Sequence, residues 1–299
     1  MSWNLQKDNY YSQEADKRYF SCSQYESFLQ CEAAAMAKIY GTYQPKETDA
    51  LIVGKYFHAY FEGKEEFEEF KQANFDEIFK TKTDKKSGEV IITGKYAKFE
   101  AADIMIQTAE NDPKIQELIA FKGENEKVME GKLFGIYPWK IRLDKYVSDP
   151  FRLIIDWKTV ADIWKNDYNI KTGQRESFVV NYGYLMRAAV YTEIEKQFTG
   201  KDTDAPFWLV CISKQDPPDK EIINLSHRQA LDFQLEEMRE NMLKISAIKK
   251  GVLRPKRCGH CEYCRMTKRI TDVIDYWKLD PGHRNQAEED YVSYSDLQG

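Results

Sequence analysis

Between Glu126 and Lys158 the chain alternates with a period of two residues, and no other stretch limits the fold as strongly. Alternation of this kind belongs to strands, and turns at Gly135 to Pro138 and Ser148 to Pro150 divide it into three. The second strand runs through Lys140-Ile-Arg-Leu-Asp144 and the third through Leu153-Ile-Ile-Asp156-Trp-Lys158, so each reaches a carboxylate. Successive side chains on a strand point to opposite faces, which puts Asp156 and Lys158 on the same face, about 7 Å apart along the backbone. One carboxylate can then hold a hard divalent cation while the ammonium group meets the water to be activated. Metal-dependent phosphodiester hydrolysis needs that arrangement.

Helices are expected ahead of this sheet. Ser23 with Glu26 reads as a capping box for a helix to about Tyr40, where Gly41 ends it. A second helix is expected from about Leu51 to Lys80, with Asp49 available as its cap, and it carries Gly54-Lys-Tyr-Phe-His58. Thr81 to Gly88 reads as a polar loop, Lys95 to Glu110 as a third helix, and Pro113 as the start of a fourth. After the strands come a linker from Ala161 to Gln174, a long helix from Glu176 to Phe198, and strands at Pro206 to Ser213 and Lys220 to Leu225. A last helix, capped by Ser226, reaches about Lys250. Strands and helices mixed in this way predict an α/β (mixed α+β) fold.

Three of the six cysteines fall in Cys258-Gly-His-Cys261-Glu-Tyr-Cys264. A chain of 299 residues with 42% hydrophobic content can bury a core without disulfide staples. Thiolates this closely spaced suit a soft metal ion or an iron-sulfur cluster, and three leave a tetrahedral site one ligand short. For zinc, His260 or Cys31 could supply the fourth. Cys22 and Cys211 read as ordinary small buried residues.

Asp144 followed by Asp156-x-Lys158 resembles the PD-(D/E)XK nuclease superfamily, in which an acid on one strand pairs with acid-x-lysine on the next. Gly54 with His58, Glu130, and the segment Tyr182 to Tyr191 are similar in order to the subgroup of phage and prophage RecE-like exonucleases. Arg187 stands where that subgroup has glutamine, and Tyr191 matches its tyrosine. The resemblance spans Ser23 to about Thr267 and implies a restriction-endonuclease-like core with a central mixed sheet. Its implied activity is exonucleolytic hydrolysis of DNA, leaving single strands for an annealing protein in phage-type recombination or repair. It implies Mg²⁺ (or Mn²⁺) on Asp144, Asp156 and the Trp157 carbonyl, with His58 and Glu130 completing the site and Lys158 acting on the water. AddB-like and CRISPR adaptation nucleases carry one N-terminal and three C-terminal cysteines. By that likeness Cys31, Cys258, Cys261 and Cys264 are expected to hold a [4Fe-4S] cluster, with Zn²⁺ the competing metal.

Net charge is −5, from 49 acidic and 44 basic residues, which argues against nonspecific coating of nucleic acid but not against a local basic groove. Such a bias lies between Lys249 and Arg269, where Lys256 and Arg257 are expected to meet DNA phosphates, as are Arg187 and Tyr191 farther upstream. The long helices and apolar core suit one nuclease domain over 1–275: a helical part at 20–122, a sheet core at 126–225, and a cysteine module closing 226–275. A polar tail over 276–299 is expected to be loosely held. No apolar run approaches membrane-spanning length, and the first residues lack a secretory pattern, so an intracellular, cytoplasmic protein is expected, able to form homo-oligomers. A non-catalytic DNA-binding or recombination-partner protein on the same fold is the alternative.

Overall fold

A computed structural model describes residues 3–170, 172–271 and 273–279. The tail expected from 276 onward therefore lies outside the described residues beyond Leu279. In chain order the elements begin with α1 (Gln13–Arg18), α2 (Cys22–Gln30), α3 (Glu32–Ile39), α4 (Asp49–Glu62), α5 (Lys64–Ala73) and α6 (Phe75–Ile78). A hairpin β1 (Phe79–Thr83) and β2 (Val90–Lys95), then α7 (Ala97–Glu110) and α8 (Pro113–Ala120), lead to the sheet strands β3 (Gly123–Leu133), β4 (Tyr137–Val147) and β5 (Leu153–Val160). A second hairpin, β6 (Asn166–Asn169) and β7 (Gln174–Ser177), precedes α9 (Phe178–Asn181), α10 (Tyr184–Thr199), β8 (Phe207–Ser213), β9 (Lys220–Asn224), α11 (Arg228–Lys249) and α12 (Glu262–Met266).

Five strands form the central sheet in the order β3-β4-β5-β8-β9, with β5 and β8 parallel and the other neighbours antiparallel. Both faces are covered, and β5 shows why its sequence reads as a nearly continuous apolar run. Leu153, Ile155 and Trp157 enter one core with α4, α7 and α8, while Ile154 and Val160 enter the other with α2, α3, α10 and α11. By the same alternation Asp156 and Lys158 face the α10 side.

The pairing of β4 with β5 covers only Lys145–Ile155, Tyr146–Ile154 and Val147–Leu153. Farther back along β4 the same edge is taken over by Phe20, whose N–H donates to the Pro138 carbonyl at 2.8 Å and whose carbonyl accepts from Lys140 N at 2.9 Å. Between those two attachments the sheet forks, and the fork holds the charged residues described below.

Several expected elements are divided. Cys31, extended at φ −164°, separates α2 from α3, so Ser23 to Tyr40 is not one helix. Ser21, not Ser23, caps α2 by accepting from Gln24 N, and Thr48, not Asp49, caps α4 by accepting from Leu51 N. The helix expected to Lys80 ends at Glu62, and α5 and α6 follow as separate pieces. Gly183, in the left-handed region at φ +66°, sets α9 apart from α10. Thr81 to Gly88 belongs largely to the β1–β2 hairpin, and the expected linker contains β6. Ser226 does not cap α11, since its hydroxyl accepts from Phe207 N at 2.9 Å.

Candidate active site and sulfur site

Asp144 lies at the fork because β4 has just parted from β5. Its Oδ2 accepts from the Trp157 backbone N–H at 2.8 Å, satisfying a donor that no strand partner reaches. On the next strand Asp156 is only 2% exposed at its side chain, and Lys158 Nζ stands 2.8 Å from Asp156 Oδ2 and 3.7 Å from Asp144 Oδ2. The same ammonium donates to the Trp157 carbonyl at 3.0 Å. From α4, His58 Nδ1 comes within 3.3 Å of Asp144 Oδ2, and from α10 on the opposite layer Arg187 Nη1 comes within 3.9 Å of Asp156 Oδ1. The fork thus lets both helical layers reach one pair of carboxylates.

Burial raises the Asp144 carboxyl, but His58, Lys158 and the Trp157 N–H outweigh it and leave the group below its ordinary value. Burial pushes His58 the other way, below the usual imidazole range, against the pull of Asp144. Asp156 Oδ2 is fully buried and, although charge-paired with Lys158, has no hydrogen bond among the described residues. Such an oxygen beside a second carboxylate suits a hard cation.

Glu130 is not brought to this group. The β3–β4 register sets it opposite Lys140, four residues short of Asp144, which is about 13 Å along a strand. It lies instead against the Tyr19 phenol, which burial and then Glu130 push up to about 12. Glu126 is the acid beside Asp144. It is buried, adopts a left-handed backbone at φ +55° and receives Arg142 Nε, and burial followed by the Asp144 charge pushes its carboxyl up to about 7. Counting back from the turn at Gly135 would have found it, because antiparallel register fixes which residues face one another. Glu26 on α2 is a second acid missed as part of this site. Its carboxyl is raised by burial, with Arg187 opposing. Tyr191 is only 8% exposed and packs edge-on to Phe207, so its ring belongs to the core beneath Arg187.

The cysteines converge far from each other in sequence. Cys31 extends from the α2–α3 break toward the turn that carries Cys258, Cys261 and Cys264, and the four sulfurs all lie within 4.8 Å of one another. Cys31 and Cys264 are 3.7 Å apart, and Cys258 and Cys264 are 3.9 Å apart. Backbone N–H groups of Cys261 and Cys264 point at the preceding sulfurs at 3.3 and 3.4 Å. Although burial opposes it, such donors from His260 and Cys261 bring the Cys258 thiol down to about 6. His260 contributes no nitrogen to the group, leaving Cys31 as the fourth donor.

Of the basic run only Lys249 is partly buried, and Lys250, Arg254, Lys256, Arg257, Arg265, Lys268 and Arg269 are exposed. Lys249 donates to the Tyr19 carbonyl at 2.6 Å, and Arg257 donates to the Cys264 carbonyl at 3.0 Å and lies over Tyr263. Lys256 keeps an exposed side chain, while its backbone N–H donates to Glu32 at 2.7 Å and its carbonyl accepts from Ala33 N at 3.0 Å. Among the described residues no helix is long and apolar enough to cross a membrane.

A structure from Eubacterium rectale, described as a "putative exonuclease", is similar to this chain at 32% identity over 94% of it and 100% of that protein, with a TM-score of 0.81. The solved structure of SSO0001 is 14% identical, with 80% of this chain and 91% of that one covered, but its TM-score of 0.26 is too low to argue from. No curated protein matches. The fork of acids and lysine, the mixed sheet between helical layers and a family profile matching residues 21–267 agree: the chain belongs to the family described as a PDDEXK-like domain of unknown function (DUF3799), with a PD-(D/E)XK nuclease fold.

Proposed function

We propose that the protein is a divalent-metal-dependent deoxyribonuclease that resects DNA ends exonucleolytically and supplies single strands to an annealing protein in phage-type recombination or repair. The observation that carries this reading is the meeting of Asp144, Asp156, Lys158 and His58 at the fork. The description of the Eubacterium rectale relative supports the exonuclease part.

The oxygen donors Asp144, Asp156 and the Trp157 carbonyl fit Mg²⁺ or Mn²⁺, and the buried Asp156 oxygen, paired only with the Lys158 ammonium among the described residues, favours such an occupant. An ion held there would neutralise phosphate charge and make a bound water more acidic. Lys158 would steady the attacking water and the charge that develops on phosphorus. His58 would orient Asp144, and Arg187 would steady a phosphate oxygen, as a guanidinium can. In this reading Glu126 takes the part expected of Glu130. Asp156→Ala and Lys158→Ala should each lower Mg²⁺-dependent DNA cleavage by on the order of a hundred- to a thousandfold in protein that still folds. Wild-type cleavage in either variant would show that the site is misassigned, and tight DNA binding without any cleavage would favour the non-catalytic alternative.

For the sulfur site we propose a single tetrahedral zinc ion in place of the expected [4Fe-4S] cluster. With Zn–S bonds of about 2.3 Å, the edges of a ZnS₄ tetrahedron are about 3.8 Å long. The separations of 3.7 and 3.9 Å match that edge. A four-iron cluster binds each thiolate to a different iron and spreads the sulfurs farther apart. Anaerobically purified protein should be colourless with one equivalent of zinc; a brown protein carrying iron and acid-labile sulfide would overturn the assignment.

A further inference from the structure

We propose that the segment between β5 and α10 is a stacking platform for a single-stranded nucleic acid leading to the fork. The proposal rests on the nuclease reading and deepens it by naming an unpaired strand as what the site takes. Trp164, Tyr168 and Tyr182 are 70%, 62% and 62% exposed, an unusual concentration of open ring faces on one short stretch. They stand on a braced support. Trp164 Nε1 donates to Asp219 Oδ2 at 3.0 Å, which anchors the indole by its edge. The β6 and β7 strands pair over all four of their residues, and Asn181 Nδ2 donates to the Asp167 carbonyl at 3.0 Å and the Glu176 carbonyl at 2.8 Å, tying the hairpin to α9. An indole held in place before binding loses little freedom when a base stacks on it, and a braced hairpin limits the movement of the backbone that carries the tyrosines.

Placement connects this platform to the fork. Trp164 follows Lys158 by six residues, and Tyr182 lies just ahead of Tyr184 and Arg187. Tyr184 is close enough to Asp156 for that charge, after burial, to raise its phenol, and Arg187 stands 3.9 Å from Asp156. Among the described residues of the hairpin, Lys165 pairs with Asp167 at 2.9 Å and Arg175 donates to the Asn166 carbonyl at 3.1 Å. A grip made by ring faces selects bases that have left their pairs, because a paired base inside a duplex offers no open face.

The test measures binding of a fluorescein-labelled oligothymidylate of about a dozen nucleotides, with Ca²⁺ replacing Mg²⁺ so that binding is read without turnover. Trp164→Ala and Tyr168→Ala should each weaken binding by about five- to a hundredfold, and Trp164→Phe should stay near wild type. Thymidine 5′-(p-nitrophenyl phosphate), a phosphodiester too small to reach the hairpin, should be hydrolysed with Mg²⁺ at the wild-type rate by all three variants. Wild-type oligothymidylate affinity in a folded Trp164→Ala/Tyr168→Ala double variant overturns the platform, as does equal affinity of the wild type for a blunt duplex. If the wild type hydrolyses neither DNA nor the small diester while oligothymidylate binding still depends on the rings, the platform stands and the nuclease reading fails.

Discussion

Lys249 shows how one residue's surroundings can be read as a dependence on pH. Burial lowers its ammonium to about 7, with Asp16 opposing and Lys140 reinforcing the shift. The unfolded chain, with an ordinary lysine value near 10.5, therefore binds more protons than the folded one between about pH 7 and 10.5, and stability rises with pH across that window. Below pH 7 the cost is felt in full. Unfolding by urea should give the wild type a gain of on the order of 3 kcal/mol between pH 6 and pH 10 that Lys249→Met lacks. The sequence shows Lys249 only as one member of a basic run, since composition cannot tell a solvated ammonium from one turned inward. Glu130 and Glu126 teach the same lesson. Both are acids on one strand, and register alone separates the one that faces Asp144 from the one that faces Lys140.

At the level of elements, the strands with apolar alternation were legible, as were Asp144, Asp156 and Lys158 on neighbouring strands, because burial on both faces writes itself into β5 and β8. The two hairpins were not, because their residues are mostly exposed and carry no alternation to read. Helix breaks at Cys31 and Gly183 were also hidden, since each answers a demand from elsewhere in the fold: a sulfur that must reach a distant turn, and a left-handed step that starts α10 beside the fork. Glycines separate in the same way. A Cβ on Gly131 would stand 2.8 Å from Gln197 Oε1, whose amide is already bonded to the backbone N–H and carbonyl of Lys132 at 2.9 and 3.1 Å. Gly131→Ala should therefore cost about 1–2 kcal/mol by displacing that amide. At Gly54, inside α4, a Cβ would meet only Thr159 Oγ1 at 4.0 Å, so Gly54→Ala should stabilise by up to about 1 kcal/mol. Equal effects of the two changes on the urea midpoint would refute this account of β3 packing on α10.

For the molecule as a whole, the sulfur site joins an early helix break to the end of the described chain, with Tyr43 donating to Glu262 at 3.1 Å and Lys244 pairing with Glu32 at 2.5 Å beside it. Cys31→Ala should lower the melting temperature by several degrees, as chelation should in the wild type, and the two effects should not add, because both remove the same clasp. Preserved melting after complete loss of the metal would show that the polar contacts suffice. The fork in the sheet has a different kind of consequence. Zipping β4 to β5 by two more residues would complete a ladder and make a more regular sheet, but Trp157 N–H would then have a backbone partner and Asp144 would lose its anchor. A laboratory selection that rewarded heat resistance alone would tend to close the fork and silence the protein, so thermostable variants should be screened for activity before any is kept.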